Sequence, residues 1–170
     1  AGGLRFANVS ACSGLDFPDD GRAVALVDWD QDGDLDLWIS NRSAPRLRLM
    51  RNDSPGGNHV LALLLQGNGG KTNRDAIGAR VEVITGTSAA AGGTSAAANR
   101  PKTIKTLRAG EGFLSQSSKW LHFGLGAAEG IEKVVVHWPG GEAEEFTGLG
   151  VDRRYRLVQG AGTGQDLTLP

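Results

Sequence analysis

The sequence predicts an all-β protein: a β-sandwich of jelly-roll type at residues 58–160, preceded by a small β unit at residues 1–57. A C-terminal tail, residues 161–170, has room for one short strand. Three observations carry this reading. Apolar residues recur at every second position in segment after segment, the period of a strand with one face buried. The 170 residues include 26 glycines, many of them grouped with Pro, Asn and Asp into turn signals between those segments. No segment carries the 3.6-residue apolar period of an amphipathic helix, and the strand count favours a sandwich over a closed barrel.

Taken in chain order, the first unit offers strands at residues 6–9, 22–28, 35–40 and 46–51; in the last, Leu47 and Leu49 alternate with arginines. Asn52-Asp53-Ser54-Pro55-Gly56-Gly57 is dense in turn formers and marks the boundary between the two units. Residues 60–65 are apolar without a break, so this strand is expected to be buried on both faces. Alternation then predicts strands at 79–83, 103–107 and 120–125. Residues 131–138 and 144–147 flank Pro139-Gly140-Gly141-Glu142, a hairpin turn. Residues 154–158 form a last core strand, and 166–169 a short terminal one. Residues 85–99 are built from Gly, Ser, Thr and Ala with no large apolar anchor, and read as an exposed, mobile hairpin loop.

The most specific chemical signal lies between the second and third predicted strands. Asp28, Asp30, Asp32, Asp34 and Asp36 occupy every second position of one short loop, with Gly33 among them. Five carboxylates so close repel one another unless a cation sits between them. A hard divalent ion with several oxygen ligands in a flexible cage fits best, which points to Ca²⁺. Asp28, Asp30 and Asp32 are placed to offer side-chain oxygens and Asp34 its backbone carbonyl. Asp36 would close the cage, and Gly33 permits the sharp turn. The loop is not an EF-hand. Position 12, which there is a bidentate Glu, is Ile39 here, and strands rather than helices flank the loop.

Composition excludes several classes. The formal charge is −1, and without the five loop aspartates it would be +4, so no basic stripe suggests nucleic acid. No apolar run has membrane-spanning length, and no signal peptide is visible, although a mature secreted chain would already have lost one. The single cysteine, Cys12, rules out an internal disulfide and reads as a small buried hydrophobe. His59, His122 and His137 stand in separate strands without metalloprotease spacing; His122 and His137 read as inert, hydrogen-bonded sheet residues. No serine elbow or other nucleophile motif is present, and the expectation is a non-enzymatic protein with no catalytic residue. Glu142, Glu144 and Glu145 read as a solvated acidic hairpin, and the four tryptophans as core. Asn8, Asn41 and Asn52 begin Asn-x-Ser sequons.

Two stretches resemble known families. The segment from Asp20-Gly21-Arg22 through Asp36-Leu37-Trp38-Ile39-Ser40-Asn41-Arg42 to Leu49-Met50-Arg51-Asn52 resembles an FG-GAP/VCBS-type repeat, the calcium-loop unit of integrin-like propellers. From Asn73-Arg74-Asp75-Ala76-Ile77-Gly78 onward the chain resembles the ASPIC/UnbV domain. Its landmarks are Gly110-Glu111-Gly112-Phe113-Leu114-Ser115-Gln116, Leu121-His122-Phe123-Gly124-Leu125-Gly126 and Val134-Val135-Val136-His137-Trp138-Pro139-Gly140-Gly141. That pairing is found in bacterial secreted proteins and in cartilage acidic protein. The resemblance implies an extracellular, secreted or cell-surface β-protein used in adhesion or binding, with calcium held by Asp28, Asp30, Asp32, Asp34 and Asp36.

Where relatives carry several repeats, this chain carries one. A lone propeller blade leaves its faces and edges uncovered, so residues 1–57 must pack on the second unit or on another molecule. The expected partners are therefore copies of the chain itself, in a homo-oligomer or an extracellular filament built through strand-edge contacts. A carbohydrate- or receptor-binding module, with glycans or surface proteins as ligands, is the main alternative. A C-terminal fragment of a larger propeller protein is another. No nucleic acid and no membrane span are expected.

Overall fold

The computed structural model describes residues 6–86 and 102–169, and these form an all-β fold. Three sheets make it up. Strands β1 (Gly21–Val27), β2 (Asp36–Asn41) and β3 (Leu47–Met50) form an antiparallel sheet in the order β1-β2-β3. β4 (His59–Gln66), β7 (Leu121–Gly126), β10 (Arg153–Val158) and β11 (Gly164–Asp166) form a second, ordered β11-β10-β4-β7. β5 (Arg80–Thr85), β6 (Lys102–Thr106), β8 (Ile131–His137) and β9 (Ala143–Phe146) form a third, ordered β6-β5-β8-β9.

The two four-stranded sheets face each other as a sandwich. Leu61, Leu63 and Leu65 of β4, Phe123 of β7 and Leu157 of β10 meet Val81, Val83, Val134, Val136 and Phe146 of the opposite sheet. All are 3% exposed or less, and burying each large side chain contributes about 1.5–3 kcal/mol. The expected burial of β4 on both faces is met in part: on its outer face Ala62 is buried, while Val60 and Leu64 are half-buried. The central pair β4–β10 is parallel, with Ala62 opposite Arg154 and Leu63 opposite Tyr155. That pair departs from the antiparallel pairing of an up-and-down or Greek-key sheet. It follows from the long excursion through β5–β9 that separates the two strands.

Several local expectations are corrected. Residues 6–9 form no strand; a single helical turn, α1 (Ser10–Ser13), follows and ends at Gly14 in the left-handed region. Cys12 lies on that turn and is exposed, its thiol reaching the Val9 carbonyl oxygen at 3.2 Å, because no sheet covers it. The tryptophans are not uniformly core: Trp138 is buried, whereas Trp29 is 59% exposed and packs edge-on against Trp38. The terminal strand lies at Gly164–Asp166, two residues earlier than expected. Most of the low-complexity stretch, residues 87–99, lies outside the described residues.

Candidate metal centre

The acidic loop joins β1 to β2, and Val27 pairs with Asp36 where it closes. Two residues bend it: Gln31, with φ 64°, and Gly33, with φ 99°. The Asp34 amide donates to Asp32 Oδ1 at 2.9 Å, tightening the second half of the turn. Asp28, Asp30 and Asp32 each bring one carboxylate oxygen into a group whose members all lie within 4.8 Å of one another. With Ca²⁺–oxygen distances near 2.5 Å, oxygens on opposite sides of one ion are up to about 5 Å apart, so the group suits a single calcium. Without a cation, two carboxylates at such a distance repel by roughly 1 kcal/mol in water and about 3 at an effective dielectric of 20.

The remaining two aspartates are used differently. Asp36 is 1% exposed and accepts the Trp29 amide on Oδ2 and the Asn52 amide on Oδ1, each at 2.8 Å. It knots the start of the loop to the chain after β3. Asp34 stays outside the three-oxygen group.

Asp28 connects the loop to the sandwich. Its side chain is 2% exposed. Oδ2 lies 3.5 Å from Arg154 Nη1 on β10 and 3.5 Å from His122 Nε2 on β7. Oδ1 is buried and accepts no hydrogen bond, and it is this oxygen that remains for an ion. The Arg154 guanidinium also donates to Gln31 Oε1 at 3.0 Å and sits 4.5 Å over the Trp120 ring. Burial lowers the His122 pKa, ahead of the opposing pull of the Asp28 carboxylate. Arg154, Ala62 and His122 form a row across the outer face of the sheet, since Ala62 pairs with both of the others. The loop covers that row. Ser118 N donates to the Leu26 carbonyl and Leu26 N to Ser117 Oγ, so the edge of β1 is also tied to the segment before β7.

His122 and Arg154 were invisible as members of this site from sequence. They stand 94 and 126 positions from Asp28 in the chain and have no local motif. The other histidines are engaged elsewhere: His59 Nδ1 meets Asp152 Oδ2 at 2.7 Å, and His137 lies beside Arg80 and Glu82. Of the sequons, Asn41 is buried, its amide nitrogen held by Asp19 and the Pro45 carbonyl.

A two-sheet sandwich with an acidic hairpin loop docked on its outer face defines the class of this molecule. The chain belongs to the ASPIC and UnbV family, whose model matches residues 69–164, more than half of its length. The matched region contains His122 and Arg154, while the aspartate loop precedes it. A search of the curated proteins finds no match. Among the described residues no helix is long and apolar enough to cross a membrane.

Proposed function

We propose that this chain is a secreted, non-enzymatic, calcium-binding structural or adhesive module. The observation that carries the reading is the Asp28–Asp30–Asp32 group, together with the buried, unpartnered Oδ1 of Asp28. A buried carboxylate oxygen without a donor is costly unless something cationic reaches it. The resemblance of the loop to the FG-GAP/VCBS repeat supports calcium over other divalent ions. Millimolar extracellular calcium would fill such a half-exposed site more readily than cytosolic levels, which favours placement outside the cell. The ion would bind Asp28, Asp30 and Asp32 and cancel their repulsion, locking the β1–β2 hairpin against β4, β7 and β10. The test is thermal unfolding with calcium and with EDTA: a transition that rises by several degrees with calcium supports the reading, and one that does not move rejects it.

A second reading concerns partners. The sheet β1-β2-β3 keeps large apolar side chains in solvent on both faces. Val24 is 48% exposed on one, and Trp29, Leu47 and Leu49 stand at 59%, 57% and 38% toward the other. Apolar surface of this kind is a contact surface, and β3 is an edge strand. Copies of the chain, stacking sheet on sheet into an oligomer or extracellular filament, would cover it; glycans or surface proteins are the competing ligands. Light scattering at high protein concentration with saturating calcium decides: a strictly monomeric species removes the self-assembly reading.

A further inference from the structure

Asp28 faces two cation positions at once. Its Oδ1 is free for a metal, while its Oδ2 lies 3.5 Å from Arg154. Arg154 cannot swing clear at little cost. Gln31 Oε1 accepts from it at 3.0 Å, the Trp120 ring lies 4.5 Å below its guanidinium, and its side chain is only 16% exposed. It therefore remains beside the carboxylate when an ion arrives. We infer that Arg154 is a built-in counter-cation that competes with the metal for the charge of Asp28 and so sets the affinity of the site. The inference rests on the metal reading above.

The physical argument is a comparison of two states. In the metal-free protein Arg154 gives buried Asp28 its permanent counter-charge, and removing it leaves the carboxylate, of these two neighbours, only the His122 imidazole at 3.5 Å. In the loaded protein the ion supplies that compensation, and Arg154 adds a repulsion between like charges on one carboxylate. Loss of Arg154 thus harms the empty form more than the filled one, and by linkage the filled form gains in relative population. A residue that served only packing would act in the opposite direction, since a loosened loop binds its ion more weakly. Arg51 is the natural comparison. It lies 3.8 Å from Asp30, but it is 57% exposed and pairs with Asp53 at 2.7 Å, so its charge is screened and already shared.

The experiment is calorimetric titration of the chelator-treated full chain with calcium chloride at fixed ionic strength, for the parent protein and for Arg154→Gln, Arg154→Lys and Arg51→Gln. The expected result is calcium binding tightened on the order of tenfold in Arg154→Gln. Arg154→Lys keeps the charge and should stay within about threefold of the parent, and Arg51→Gln within about twofold. Unchanged or weaker binding in Arg154→Gln overturns the inference while leaving the metal reading intact. No binding by the parent, with a melting transition indifferent to EDTA, overturns both. Should Arg154→Gln be unfolded without metal, calcium must restore its melting transition, with a larger calcium-dependent rise than the parent shows. A variant that stays unfolded in saturating calcium also overturns the inference.

Discussion

Gly33 lies directly over Val60: a Cβ on the loop glycine would stand 3.0 Å from Cγ1 of the valine. The two residues join the turn of the acidic loop to the start of β4, and the backbone of Gly33 is left-handed at φ 99°. Both facts demand glycine there, one through sterics with a neighbour and one through its own conformation. Gly33→Ala should therefore cost about 1–3 kcal/mol, read as a lower urea midpoint. Val60→Ala in the same chain should restore only part of that loss, because it relieves the contact and not the backbone. Full restoration would show that the φ requirement is unimportant.

Glu144 is the clearest case of a polar residue holding two elements together. Its Oε2 accepts from Trp138 Nε1 at 3.0 Å and from the Gly160 amide at 2.9 Å, and Oε1 from the Gly162 amide at 2.9 Å. One carboxylate thus satisfies an indole and two backbone donors of the turn between β10 and β11. This corrects the reading of the hairpin as a wholly solvated acidic face; Glu142 and Glu145 are exposed, the latter paired with Lys133 at 2.6 Å, but Glu144 is not. Glu144→Ala is expected to lower stability by about 2–4 kcal/mol. Amide exchange at Gly160 and Gly162 should accelerate well beyond the change in global stability, and unchanged exchange there would refute the assignment.

Glu82 sets part of the acid limb. Burial on the outer face of β5 raises its pKa, but the hydrogen bond and charge of Lys102, with the charges of Arg80 and His137, outweigh burial and bring it below the ordinary 4.5. A carboxyl depressed in the folded state stabilises above its unfolded pKa, and that contribution is lost as pH falls through the folded value. Glu82→Gln should therefore be less stable than the parent at pH 7 by about 1–2 kcal/mol. The gap should close as the pH drops from about 5 to about 3. Urea midpoints across that range measure it, and a gap independent of pH would mean that charge is not the cause.

Local chemistry made most of the strands legible. The alternation in Ala79-Arg80-Val81-Glu82-Val83 placed β5 within two residues, and the unbroken apolar run marked β4 as a core strand. Sheet order was not legible in the same way. The parallel partnership of β4 with β10 is set by packing between segments about 90 positions apart, and no residue in either strand announces it. The same holds at the candidate centre. The spacing of Asp28, Asp30 and Asp32 was readable because three carboxylates lie within five residues. Arg154 and His122 reach Asp28 only through the fold. Glu144 was missed for the related reason that two of its three donors are backbone amides, which carry no sequence signal, and the third, the Trp138 indole, meets it only across the β8–β9 hairpin.

The alternation of five aspartates conceals two jobs, and chelation should separate them. Asp30 and Asp32 are exposed and belong to the three-oxygen group, whereas Asp36 is buried and spends an oxygen on each of two backbone amides. Removing charge from Asp30 or Asp32 takes away a proposed calcium ligand but relieves repulsion in the empty loop. Asp30→Asn and Asp32→Asn should therefore lose most of the calcium-induced rise in melting temperature. In EDTA they should match the parent or exceed it slightly, by up to about 1 kcal/mol. Asp36→Asn replaces an acceptor oxygen by an amide that faces a backbone N–H donor. It should be destabilised by about 1.5–3 kcal/mol in EDTA and in calcium alike. Melting curves of the three variants in both conditions provide the check. An Asp36→Asn chain as stable as the parent in EDTA would return Asp36 to the role of a simple metal ligand.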